Sequence, residues 1–198
     1  MVQPHVFYHP VLTAIWGITY VLWIGSEILM SRRLRSAPDA HKADRGSKAV
    51  VITAANIGIA LGFMAAYGVP RFSVHAHWMA VFATGIAVWL AGIALRLYSI
   101  RILGRFFTYD VAISQGQHIV EQGPYRWVRH PSYLGGLLAQ IGFGLTLTNW
   151  LAMILPVCCV AAAYVYRIPL EEQALVRGLG PGYSDYMRRT WRLIPFVF

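Results

Sequence analysis

Three long, mostly apolar stretches, Val11 to Met30, Ala49 to Val69 and Trp78 to Ile100, constrain this chain more than any other feature. Each reaches the roughly 20 residues that an α-helix needs to cross a hydrocarbon core of about 30 Å. A fourth stretch, Tyr133 to Tyr166, is too long for one crossing, and the polar pair Thr148-Asn149 at its middle reads as a turn. The pattern predicts a helical hairpin with arms at 132–148 and 150–166, and therefore five spans. Composition agrees: 57% of residues are apolar and 13% charged, against roughly 25% charged in soluble domains. This balance excludes a disordered chain, a collagen-like fibre and a disulfide scaffold. Cys158 and Cys159 stand side by side in an apolar run and read as packing residues. No Lys or Arg precedes the first stretch and no small-x-small site follows it, so it is expected to be a span and not a cleaved leader.

The cations give an independent test of this topology. With five spans, segments 31–48, 101–131 and 167–198 fall on one side and carry fifteen of the seventeen Lys and Arg residues. The other side holds only Arg71, while Arg96 sits near the inner end of the third span, within snorkelling reach of the basic side. Positive charge collects in cytoplasmic loops, so the expected class is an all-α integral membrane protein with five transmembrane helices, N-terminus outside and C-terminus cytoplasmic. The net charge of +9 is read as a topology signal that also attracts anionic headgroups. No nucleic-acid motif is present. The chain reads as one domain, 1–198, without internal repeats, and 31–48 reads as its one mobile loop.

In so greasy a chain, chemistry is expected where polar residues are dense. Two basic-side segments qualify, Leu103 to Tyr133 and Arg167 to Pro195, and they flank the hairpin. Antiparallel arms joined by a short turn bring both segments to one mouth, which makes a site of two sequence-distant halves. His130-Pro131 breaks the helix before the fourth span, with Pro131 suited to a first helical turn. The loop Gly123 to Tyr133 thus forms a polar wall. Beyond Arg167, Pro169 is expected to start a new helix bearing Glu171 and Glu172. Adjacent carboxylates point about 100° apart on a helix, so at most one faces the pocket.

The order GPYRWVRHPSYLGG, an apolar hairpin, R-x-x-x-EE-x-x-L, G-x-x-Y and R-x-x-P resembles the isoprenylcysteine carboxyl methyltransferase family, which is related to phospholipid methyltransferases. The likeness covers Leu103 to Pro195, about half the chain. It implies S-adenosyl-L-methionine as cofactor, bound on the cytoplasmic side beneath a lipid-facing tunnel. Carried over by position, it implies cofactor contacts at Gln117, His118, Ile119, Val120, Tyr125, His130, Pro131, Ser132, Tyr133 and Glu171, with Arg167 beside the acceptor's reacting group. Many relatives carry a histidine where this chain has Gln117, and His118 falls one position later. A carboxylate acceptor is already ionised and needs no general base, so catalysis would rest on in-line positioning, with Arg167 orienting the carboxylate as a fork.

The expected function is methyl transfer to a lipophilic acceptor entering from the bilayer, of the isoprenylcysteine carboxylate type. A phospholipid amine, a small thiol or a long-chain phenol or pyrone hydroxyl is the alternative acceptor. A small transporter or assembly factor is the alternative from another class. The short chain suggests a prokaryotic cytoplasmic membrane. No metal is expected, because His75-Ala-His77 lacks a carboxylate or Cys beside it. Arg188, Arg189 and Arg192 read as headgroup contacts, and Glu27 as a group that snorkels or pairs with an inner-loop arginine.

Overall fold

A computed structural model describes residues 4–33, 41–42, 44–113 and 116–195; residues 34–40 and 43 of the expected mobile loop lie outside that set. Six α-helices account for most of it: α1 Pro10–Arg33, α2 Ser47–Gly68, α3 Trp78–Leu103, α4 Pro131–Thr146, α5 Trp150–Leu179 and α6 Pro181–Arg189. The only sheet among the described residues is a two-residue antiparallel pairing of His41–Lys42 with Ala112–Ile113. It fastens the segment before α2 to the segment after α3.

Four helices are long and apolar enough to cross a membrane: α1, α2, α3 with the turn that follows it to Phe106, and α5. Helix α4 is the exception to the five-span pattern. Its 16 residues extend only about 24 Å at 1.5 Å per residue. It is nonetheless apolar, and it forms the expected hairpin with α5.

The hairpin tip is held by Asn149. Its Oδ1 accepts from the backbone N–H groups of Leu151 and Ala152 at 3.0 and 3.1 Å, capping α5. Its Nδ2 donates to the Val69 carbonyl oxygen at 3.1 Å, and Val74 N–H donates to the Thr148 carbonyl oxygen at 2.8 Å. The hairpin tip and the α2–α3 connection therefore sit at the same end of the bundle. His5, beside Trp78 and His75, joins them there.

Close helix contact comes from small residues, as bilayer packing favours. A Cβ placed on Gly92 would stand 2.4 Å from the Ala139 backbone nitrogen, and one on Gly142 would stand 2.3 Å from that of Trp89. Only glycine lets α3 and α4 approach this nearly. Trp23, Trp89 and Phe143 fill the centre of the apolar core, with Phe63 against them.

One expected boundary is wrong. The helix does not stop at Tyr166 and restart at Pro169; α5 runs unbroken through Pro156 and Pro169. A proline inside a helix removes one backbone hydrogen bond, but packing on neighbours over-determines the helix here. Pro156 lies fully buried against Gly58 of α2, and Ile168 is 1% exposed beside Pro169. Arg167 is consequently an interior helical residue.

Candidate active site

The segments before α4 and after α5 meet as expected. Arg129 N–H donates to the Trp191 carbonyl oxygen at 2.9 Å, and Trp191 N–H donates to that of Trp127 at 2.9 Å. Gly123–Arg126 forms a short 3-10 turn, and Pro131 occupies the first turn of α4. Above this junction lies a cavity of about 480 Å³, within the roughly 300–1,000 Å³ of small-molecule sites.

Ten of the eleven expected site residues line that cavity: Gln117, His118, Ile119, Val120, Tyr125, His130, Ser132, Tyr133, Arg167 and Glu171. Pro131 does not; its ring is fully buried and starts α4. Gln117–Val120 forms neither helix nor strand. The backbone groups of His118, Ile119 and Val120 pair with no other backbone group among the described residues. The His118 ring packs edge-on against Phe106 at 4.8 Å.

The adjacent glutamates diverge as helix geometry requires. Glu171 faces the cavity and accepts a hydrogen bond from the Tyr133 hydroxyl at 2.5 Å. Glu172 points the other way and is 4% exposed. It accepts from Arg129 Nε at 2.6 Å and from Arg192 Nη2 at 2.8 Å, with His130 Nε2 at 3.3 Å. Arg192, expected at the headgroups, thus pairs with Glu172 beneath the cavity wall formed by Arg129 and His130. Arg188 and Arg189 instead pair with Asp185 and Glu121. His130 stacks on Tyr133, ring centroids 5.5 Å apart, so the network positions the cavity wall as well.

Arg167 is 5% exposed, and four of its five N–H donors are used. Nε donates to the Tyr133 hydroxyl at 2.7 Å. Nη1 donates to Asp44 Oδ1 and Ser47 Oγ, both at 3.0 Å, and Nη2 to the Tyr109 carbonyl oxygen at 2.5 Å. It does not pair with Glu171 one helical turn away. Nor does it present a free two-pronged edge; one N–H and a positive charge remain for a ligand.

The residues around it were not legible as site residues. Asp44 also accepts from the Val111 backbone N–H at 3.3 Å. Burial disfavours its charge, but hydrogen bonds from Ser47, Lys48 N–H and Val111 N–H, with Arg167 beside it, outweigh burial and hold the carboxyl below the usual aspartate range. A usable signal existed: Asp44 lies three residues before Ser47, the first residue of α2, in an otherwise basic loop, and accepts from the Ser47 hydroxyl and the Lys48 N–H as a capping carboxylate does. Arg96 does not snorkel. It forms an ion pair with Glu27 of α1 and donates to the Ser132 side-chain and backbone oxygens at 3.0 and 3.2 Å. Tyr109 closes this side by donating to Glu27 Oε2 at 2.9 Å.

Burial, and then the negative charge of Glu171, push the hydroxyls of Tyr125 and Tyr183 up from their ordinary range. Both stay protonated near neutral pH, and the Tyr125 hydroxyl donates to the Ser99 carbonyl oxygen at 3.3 Å. Among the described residues no group of three His, Cys, Asp or Glu side chains could hold a metal.

The cavity has a polar end, with Glu171, Arg167, His130 and the tyrosines, and an apolar end, with Trp23, Ile24, Ile59 and Val160. Ile28 of α1 and Ile52 of α2 line it and are 48% and 47% exposed, so it reaches the bundle surface between these helices.

Residues 83–177 match the family model described as isoprenylcysteine carboxyl methyltransferase. Protein-S-isoprenylcysteine O-methyltransferase B of Arabidopsis thaliana is 34% identical over 123 residues, 61% of this chain and 62% of that protein. Protein-S-isoprenylcysteine O-methyltransferase of Tribolium castaneum is 32% identical over 129 residues, 61% of this chain and 43% of that protein. The solved structure of the eukaryotic intramembrane Ras methyltransferase of this kind superposes with a TM-score of 0.61 at 30% identity, covering 74% of this chain and 52% of the other. Residues 83–177, just under half the chain, are thus similar to the isoprenylcysteine carboxyl methyltransferase family. The chain spans about three-fifths or less of the length of the curated relatives cited here. The family match covers the hairpin, Arg167 and Glu171, and ends before α6 and the Arg192 contact.

Proposed function

We propose that this protein is an S-adenosylmethionine-dependent membrane methyltransferase whose acceptor is the carboxylate of an isoprenylcysteine-type lipid. The observation that carries the reading is one cavity, polar at one end and apolar at the other, lined by both motif segments. When bound, the cofactor supplies an electrophilic methyl on a sulfonium. The polar end fits such a molecule. Glu171 can accept from an ammonium or ribose hydroxyl, the Tyr183 hydroxyl is held neutral, and the backbone of His118 to Val120 pairs with no other backbone group among the described residues. Arg167, with one N–H left, holds the acceptor carboxylate near the methyl without neutralising it. The reaction needs no base, so positioning is the chain's main contribution.

In this reading α4 is a short fifth span, and the end bearing the three basic segments faces the cytoplasm. The acceptor's tail enters between α1 and α2. A transporter fits less well, because the polar groups gather at one end of the bundle. The test is transfer of labelled methyl from S-adenosylmethionine to a farnesylated cysteine derivative by purified protein. Transfer to the free carboxylate and none to its amide is expected. Cofactor binding without transfer to any carboxylate would refute the acceptor assignment.

A further inference from the structure

Of the four acceptors around the Arg167 guanidinium, only one carries a charge. The Tyr133 hydroxyl, Ser47 Oγ and the Tyr109 carbonyl oxygen are neutral dipoles at 2.7, 3.0 and 2.5 Å, whereas Asp44 Oδ1, at 3.0 Å, belongs to a carboxylate. That carboxylate is fixed from other sides as well. Its Oδ1 accepts from Ser47 Oγ at 2.9 Å and from Val111 N–H at 3.3 Å, and its Oδ2 from Lys48 N–H at 3.3 Å. It stays ionised at neutral pH. Arg167 and Tyr133 line the cavity, and Asp44 does not. Neutral acceptors would suffice to orient a guanidinium. A fixed negative charge outside the wall also weakens the field that the guanidinium exerts on whatever lies inside it.

That field matters for methyl transfer to a carboxylate. The acceptor oxygen's lone pair forms the new C–O bond to the methyl while the C–S bond breaks, its electrons staying on sulfur to leave a neutral thioether. The carboxylate becomes a neutral ester and no proton moves. The acceptor therefore loses negative charge on the way to the transition state. An unopposed positive charge beside it would hold the ground state more tightly than the transition state, which lowers KM and kcat together.

We propose that Asp44 is a positioning residue that sets the charge of the acceptor clamp: by offsetting Arg167 from outside the cavity, it lets the guanidinium orient the isoprenylcysteine carboxylate without blunting it as a nucleophile. The inference rests on the methyltransferase reading for the identity of the acceptor. A residue that only capped α2 and paired a buried arginine would, once removed, loosen the wall and weaken acceptor binding. Removing a residue that sets the charge makes the same binding tighter.

The experiment compares Asp44→Asn with wild type in the purified full chain, in two arms. The first, without cofactor, follows binding of a farnesylated cysteine derivative, as free carboxylate and as carboxamide, by tryptophan fluorescence, Trp23 being in the cavity wall. Asp44→Asn should bind the carboxylate at least about threefold more tightly and the carboxamide as wild type does. The second arm is methyl transfer from S-adenosylmethionine, in which KM for the carboxylate and kcat should both fall. Asp44→Glu keeps the charge and should return both toward wild type. Asp185→Asn, which removes an exposed carboxylate outside the cavity wall, should change neither. Asp44→Ser is the second uncharged variant should Asp44→Asn not fold. Carboxylate binding that is unchanged or weaker in the uncharged variant, an equal gain for the carboxamide, or an undiminished kcat would overturn the proposal. If wild type transfers no methyl group, the methyltransferase reading fails and the binding arm decides this inference by itself. Normal transfer by wild type, with no tighter carboxylate binding by Asp44→Asn, refutes this inference alone.

Discussion

Glu172→Ala removes the carboxylate that Arg129, His130 and Arg192 share beneath the cavity. Arg129 is 9% exposed and its Nη1 already donates to the Thr190 and Met187 carbonyl oxygens, so it cannot swing out to water without breaking the loop that carries it. Breaking one side of a buried ion pair typically costs about 3–5 kcal/mol. Arg192 is 29% exposed and recovers hydration, which places the expected loss at the lower end, about 3 kcal/mol. For a chain of this length each kcal/mol moves Tm by about 2–4 °C, so Tm should fall by roughly 6–12 °C. Glu171→Ala is the internal control, because it is the neighbouring carboxylate and loses only the Tyr133 contact. It should cost about 1 kcal/mol while removing most of the stabilisation that S-adenosylmethionine confers. The assay is thermal unfolding of detergent-purified variants with and without the cofactor. If Glu172→Ala unfolds at the wild-type temperature, or if the two variants exchange effects, the assignment of one carboxylate to the groups beneath the cavity and the other to the ligand is wrong.

Asp44 links pH to stability: its folded pKa lies below its unfolded value, so its contribution is complete above about pH 4 and is lost as pH falls through the folded value. Wild type should lose stability in that acidic window, and Asp44→Asn should be less stable at neutral pH and lose less there, as read by Tm against pH. Gly142→Leu drives a side chain into the Trp89 backbone and should destabilise by about 1–3 kcal/mol or more through overpacking, whereas an unchanged Tm would disprove the close α3–α4 contact. With Cys158 and Cys159 replaced, Ala76→Cys should react with an impermeant thiol reagent from outside and Ser184→Cys only after lysis; the reverse pattern would invert the topology. Arg167→Lys should lower both Tm and turnover, because a point charge cannot serve Tyr133, Asp44, Ser47 and the Tyr109 carbonyl together; turnover near wild type would reduce Arg167 to a dispensable helix residue.

The hairpin, its Asn149 turn and the meeting of two polar segments were legible because each follows from local rules: apolar length, a turn pair and antiparallel arms. So was the divergence of Glu171 and Glu172, which helix geometry alone dictates. The continuity of α5 was not, because Pro169 is a helix breaker by local preference and only packing around it, Ile168 above all, overrides that preference. Local pattern equally hid the partners of Arg167. Asp44 and Tyr109 stand 123 and 58 residues away in sequence, and no periodicity connects them to α5. Arg96 and Glu27 looked like two separate charges near a membrane surface. Their pairing across α1 and α3 is a tertiary fact, set by how far a desolvated guanidinium will reach for a carboxylate.

The central claim is that the polar end of this cavity binds a methyl donor through Glu171. Calorimetric titration of the purified full chain with S-adenosylmethionine addresses it directly. The account predicts saturable binding at one site, weakened at least about tenfold, or 1.4 kcal/mol, by Glu171→Ala and left intact by Val21→Ala, a residue 68% exposed and outside the cavity wall. Absence of binding to folded wild-type protein, or equal affinity in wild type and Glu171→Ala, would contradict it.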